Sequence, residues 1–296
     1  MSVHTPASPA PASSPYEEFA RPGGLSRAVG RGPLAILVLT LGGTLAFALF
    51  ATLAGQAGEI FSHGAPGRSF YDVVPYTLMV IPMLLLTAFV VAAISAGVHA
   101  MWRESHGVNQ IDGDAWRRAV WEIATLRWMK GGGDECYHPT DEAPSALRRR
   151  LHHLTSYGFL LAFAATVLAS FYDHVLSQPA PYRVLHPVVL LGLTGGIGMT
   201  VGTTGLLWVR RQATHLGSRA EARRNLSFLI SLDIASTTGL VLLLVRASDL
   251  MGVLLLLHLG SVVALFVTAP YGKFVHAAYR TTAVLRSAAE RAHDGA

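Results

Sequence analysis

Cysteine occurs once in this chain, at Cys136. One thiol cannot close a disulfide within the chain, and it cannot hold an iron–sulfur cluster or a structural zinc that needs four cysteines. Redox chemistry carried by this chain would therefore rest on histidine-held or noncovalent cofactors. Charge is scarce too: 14% of residues are Asp, Glu, Lys or Arg, against about 25% in soluble domains. With 51% hydrophobic residues and a mean hydropathy of +0.41, the 296-residue chain falls outside the soluble class and reads as an integral membrane protein. The net charge of +5 would suit nucleic acid, but the basic residues flank apolar runs, which is how membrane topology is set. No nucleic-acid partner is expected. Walker, Rossmann and zinc-protease patterns are missing, and no internal repeat is evident.

What is present is a series of long apolar segments, at about 34–55, 75–101, 154–176, 185–209, 226–246 and 251–272. Each has about 20 residues or more, enough to cross a ~30 Å hydrocarbon core as a helix. The expected fold is all-α: a six-transmembrane-helix bundle over 34–276, preceded by a disordered Pro/Ala/Ser/Gly-rich tail (1–33) and followed by a tail (277–296). The first span exceeds a signal peptide's apolar stretch of about 7 to 15 residues, so it is expected to stay uncleaved. Between the second and third spans, the loop 103–150 places Trp116, Val120, Ile123 and Leu126 at helical spacing before Gly131-Gly132-Gly133, predicting a short amphipathic helix. Arginines crowd this loop, residues 210–224 and the C-terminal tail, while the alternate loops hold only Arg68, Arg183 and Arg246. The positive-inside bias then puts both termini in the cytoplasm.

Histidine carries the chemistry. His258 and His276 stand eighteen residues apart on what reads as one last span. On a straight helix they share a face and lie roughly 27 Å apart. A polar ring at such a position is costly unless it has a partner, so two same-face imidazoles at two depths suggest axial ligands for two stacked haems b. Partners must come from other helices. At the basic end the candidates are His153, then His152, then His99; at the other, His174 ahead of His186. His153 and His174 together would place both partners on the third span, about 60° out of phase; His152 with His174 is about 40° out, and periodicity does not choose. Lys273 and Tyr271 are candidate neighbours of a quinone or a haem propionate. The fourth span carries the small-xxx-small pairs Gly192/Gly196 and Gly198/Gly202, which serve close helix packing and would equally admit a flat ring. Asp233 is an intramembrane carboxylate, readable as part of a proton path or as a partner of Ser and Thr in the bundle.

From Met101 to Arg286 the chain resembles the membrane domain of the tricarballylate- or citrate-utilisation protein B family, itself similar to haem-b subunits such as the nitrate reductase gamma chain. The stretches that carry the likeness include Leu126-Arg127-Trp128, Cys136-Tyr137-His138-Pro139, Arg148-Arg149-Arg150-Leu151-His152-His153, Pro179-Ala180-Pro181-Tyr182, Gly205-Leu206-Leu207-Trp208, His258-Leu259-Gly260 and Pro270-Tyr271-Gly272-Lys273-Phe274-Val275-His276. The resemblance implies an electron-transfer subunit, not a stand-alone catalyst, taking electrons from a flavoprotein dehydrogenase of a tricarboxylic acid and passing them to the quinone pool. Family members usually carry a cysteine-rich, ferredoxin-like N-terminal region, where this chain has a cysteine-free tail and a span. Electrons would then arrive from a separate iron–sulfur or flavin protein. Where the family has a Tyr-His pair, this chain reads Tyr172-Asp173-His174. The competing expectation is a haem-free membrane anchor or a transporter.

Overall fold

The computed structural model describes residues 32–61, 69–104, 113–124, 146–212 and 219–294. The N-terminal tail to residue 31 and the Gly131–Pro139 stretch lie outside the described residues. Six helices are long and apolar enough to cross a membrane: α1 (Pro33–Leu53), α3 (Tyr76–Glu104), α5 (Ala146–His174), α6 (Pro187–Gln212), α7 (Arg219–Val245) and α8 (Met251–Thr268). Shorter elements join them: α2 (Ala57–Ile60), α4 (Gly113–Ala124) and, after α8, a 3-10 turn Ala269–Tyr271 leading into α9 (Lys273–Asp294). The fold is an all-α, six-span membrane bundle with a short amphipathic helix between the second and third spans. Large apolar side chains such as Leu45, Leu84, Leu85 and Leu160 are exposed, which is expected where lipid replaces water.

Glycine sets the two closest helix pairs. Along the α5/α6 seam, a Cβ on Gly195 would stand 2.5 Å from the Ala162 backbone nitrogen, and one on Gly202 would stand 2.6 Å from that of Thr155. Gly158 meets the same seam from α5, against Gly195 and Gly198. Between α1 and α8, Gly260 approaches so closely that its Cβ would lie 2.5 Å from the Thr40 carbonyl oxygen. These contacts replace hydrophobic driving force, which lipid does not supply, by close backbone packing. Helix α7 then packs against α6, α8 and α1, and Met199, Leu232, Ala235 and Leu265 form a core between α6, α7 and α8.

Two departures from the sequence reading matter for the site. The third span starts at Ala146, so Arg148–Arg150 lie in its first turns and His152 and His153 sit well inside it; arginine stems reach back to the interface from such positions. The last apolar segment is not one helix. It breaks at Pro270, whose ring removes a backbone donor, and at Gly272, which is extended at φ −121° and ψ −162°. The straight-helix arithmetic relating His258 to His276 therefore fails. Beyond the break, residues read as a tail continue as α9, which packs on α4 with Ala119, Glu122, Val275, Tyr279 and Thr282 buried. The opposite, exposed side of α4 carries Trp116, Val120 and Trp121, as an interfacial helix would.

Candidate functional site

His258 lies two turns into α8 and turns toward α7, where Thr238 and Gly239 receive it. Its Nδ1 is 3.1 Å from Thr238 Oγ1, and a Cβ on Gly239 would stand 3.0 Å from its Cε1, so only glycine leaves the ring room. Counting protons fixes the tautomer. Thr238 has one hydroxyl proton, and the Ile234 carbonyl oxygen, 2.7 Å away, takes it, since a carbonyl can only accept. Ser261, 3.1 Å from Thr238, spends its own proton on the His258 carbonyl at 2.7 Å. Thr238 Oγ1 is left to accept from His258 Nδ1–H, and the backbone of Ala235 is a second hydrogen-bond partner of the ring. Metal-ligating histidines are commonly oriented by such a bond from one ring nitrogen.

The same accounting separates the two candidates at the end of the bundle away from the arginine runs. His174 donates Nδ1–H to the Ser170 carbonyl at 2.8 Å, leaving Nε2 bare, and its ring packs on Tyr76. His186 does the reverse: Val188 N–H donates to its Nδ1 at 3.3 Å, so Nε2 carries the proton, and the ring stacks on Tyr182 with centroids 4.5 Å apart. His174 is thus held by an Nδ1–H that donates, and His186 by an Nδ1 that accepts. Around them stands a polar aromatic cap that the sequence reading missed. Tyr71, held in a capped 3-10 turn Phe70–Asp72, donates its hydroxyl to the Asp173 carboxylate. Tyr182 donates to backbone carbonyls of Ala169 and Gln178, and Arg246 donates to the Tyr182 carbonyl at 2.6 Å. Burial first, then the hydrogen bond and charge of Asp173, push the Tyr71 phenol well above its ordinary range; burial, then Asp173, raises Tyr182. Asp173, which interrupts the family's Tyr-His pair, thus anchors this cap.

At the basic end the imidazoles diverge. His153 lines a groove on the outside of the α5/α6 pair, with Arg149, Arg150, Tyr157 and Leu161. His152, its Nδ1 3.1 Å from Ser156 Oγ, lies about 20° from Phe159 in helical register. Phe159 meets Phe274 of α9 with centroids 4.9 Å apart, so His152 shares the α5 face that turns to α9 and His153 does not. His276 stands two residues beyond Phe274, about 200° around α9. The side chains of His276 and Lys273 lie outside what is described. His99 is exposed near the end of α3, and Tyr271 closes the 3-10 turn. The structure therefore does not bring His153 to α9. Asp233 finds its partners within the bundle: Thr203 and Thr204 donate to its Oδ1 at 2.6 and 3.0 Å. Among the described residues no three His, Cys, Asp or Glu side chains gather as a multi-ligand metal site would require.

Of the sequence signals, the glycines of α6 resolve into packing. Gly195, Gly198, Gly202 and Gly205 face α5, while Gly196 faces Leu240 of α7. Thr238 and Gly239, which receive His258, carry no spacing that singles them out, because their relation to His258 is across helices; Ser261 lies one turn on in α8 itself.

A six-span bundle that turns one imidazole onto a hydroxyl of a neighbouring span defines a polytopic membrane protein. The family model for citrate utilization protein B matches residues 27–296. The chain is also 36% identical over 282 residues to citrate utilization protein B of Escherichia coli, covering 93% of this chain and 72% of that one. It belongs to the citrate utilization protein B family. No solved structure matches it.

Proposed function

We propose that this chain serves citrate or tricarballylate utilisation as a cytochrome b-like electron-transfer subunit of the bacterial inner membrane. In this reading it takes electrons from a separate flavoprotein dehydrogenase and iron–sulfur protein and delivers them to the quinone pool. The observation that carries it is His258, an imidazole in the middle of an apolar span that turns onto the Thr238 hydroxyl and the room left by Gly239. Such a residue fits haem ligation. Haem b, when bound, supplies one-electron transfer.

The chain's own residues supply position and dielectric. Thr238 orients the His258 ring and fixes its proton, Gly239 makes room for it, and Ser261 locks the turn beneath it. His174, with Nδ1–H committed to Ser170, is the proposed second ligand at that end, and Tyr76 limits its swing. For a second haem at the basic end the reading keeps His276, with His153, His152 or His99 as the residue opposite it. Tyr271 and Lys273 follow the helix break and are the proposed neighbours of a quinone or a propionate there. Both termini are proposed to be cytoplasmic.

The test compares His258→Ala with His186→Ala in the purified full chain. The first is expected to lose one haem per chain while remaining membrane-inserted, and the second to keep full haem content. Full haem content in His258→Ala would refute the assignment.

A further inference from the structure

We propose that the groove between α5 and α6 at the basic end is a binding site for one anionic phospholipid, independent of the electron-transfer reading. The cavity measures about 590 Å³ and is lined from Arg149 and Arg150 through His153 and Tyr157 to Leu161, with Thr194 and Gly198 as its α6 floor. Its chemistry is graded along the helix. Arg149, His153 and Tyr157 follow one another at i, i+4 on one ridge, so the groove passes from cation to imidazole to aromatic ring to aliphatic wall. From Arg149 to Leu161 is twelve residues, about 18 Å of helix, close to one leaflet's half of a ~30 Å core.

Both ends of the groove call for an occupant. No acid stands in the first turn of α5 beside Arg148, Arg149 and Arg150, and among the described residues neither Arg149 nor Arg150 has an acidic partner. Adjacent guanidiniums in one helical turn repel one another, and a phosphate between them relieves that. On the α6 floor the polar side chain is already bonded: Thr194 donates its hydroxyl to the Leu190 carbonyl at 2.8 Å, and Gly198 has no side chain to offer. Leu154 and Leu161 flank this floor with exposed aliphatic surface. A headgroup with negative charge and an acyl chain matches both ends; a neutral quinone would leave the arginines unanswered. Basic pockets between transmembrane helices recognise anionic headgroups in this manner.

Native mass spectrometry of the full chain in detergent, titrated with dioleoyl-phosphatidylglycerol or dioleoyl-phosphatidylcholine, tests this. Phosphatidylglycerol is expected to give a retained one-to-one adduct, favoured over phosphatidylcholine by on the order of 10- to 30-fold for two interfacial cations. Inorganic phosphate should not displace it. Arg149→Gln with Arg150→Gln should abolish the preference, whereas Arg117→Gln with Arg118→Gln, on exposed α4, should not. Leu161→Trp fills the groove from its lipid side with the arginines intact and should lose the adduct even if the arginine variant misfolds. Equal retention of the two lipids, an adduct indifferent to both groove variants, or displacement by decylubiquinone would overturn the assignment.

Discussion

At the residue scale, the proton positions of His258 and His186 follow from neighbours whose own donors or acceptors are already committed. His258 and His186 illustrate the two outcomes, and nothing in their sequence neighbourhoods distinguishes them. The discrimination comes from Thr238, twenty residues away on another helix, and from the Val188 backbone N–H two residues on. A histidine within the apolar run Leu254–Leu259 is legible as exceptional; its tautomer is not. Tyr71 offers a pH test at this scale. Its folded pKa lies above the unfolded value of 10, so the folded state holds the proton more tightly, and the stabilisation is complete below about pH 10 and lost as pH rises toward the folded value. Tyr182 acts in the same direction. The Tyr71 contribution to thermal stability in detergent should be constant with pH below pH 10 and should fall above it, and Tyr71→Phe should flatten that alkaline fall. An unchanged alkaline slope in the variant would contradict the coupling.

Helix pairs raise a different question, namely which small residues are structural. Of the fourth span's two spaced pairs, Gly198/Gly202 lies in the seam and Gly192/Gly196 does not: Gly195, Gly198 and Gly202 meet α5 backbone, whereas Gly196 faces Leu240 of α7. Register, not residue type, decides. Gly195→Ala should cost about 1–3 kcal/mol by overpacking, while Gly192→Ala, whose Cβ would meet Ala165 at an ordinary 3.8 Å, should be neutral or slightly stabilising. Melting temperatures of the two variants in one detergent check this; equal losses would mean that the seam is looser than described. The last apolar segment shows the limit of hydropathy as a signal. Its average runs unbroken through Pro270-Tyr271-Gly272, although Pro and Gly mark a break, and an amphipathic helix such as α9 has no apolar run to advertise it.

For the molecule as a whole, the six spans were legible because bilayer thickness imposes a length that any apolar run must meet. Which spans touch was not, since neighbours in a bundle are chosen by small-residue registers that sequence spacing only hints at. The two ends of the molecule differ sharply: Arg148–Arg150, Arg210, Arg211, Arg223 and Arg224 gather at one, and the Tyr71–Asp173–Tyr182 cap closes the other. That asymmetry predicts the orientation. A C-terminal fluorescent-protein fusion should fold and fluoresce in the cytoplasm, and a C-terminal alkaline phosphatase fusion should be inactive; an active phosphatase would reverse the topology.

The electron-transfer reading depends on haem being present, and a reduced-minus-oxidised absorption spectrum of the purified full chain, with haem counted per chain, tests it most directly. The account predicts a b-type spectrum with two haems per chain, while a colourless protein purified from haem-replete cells would contradict it.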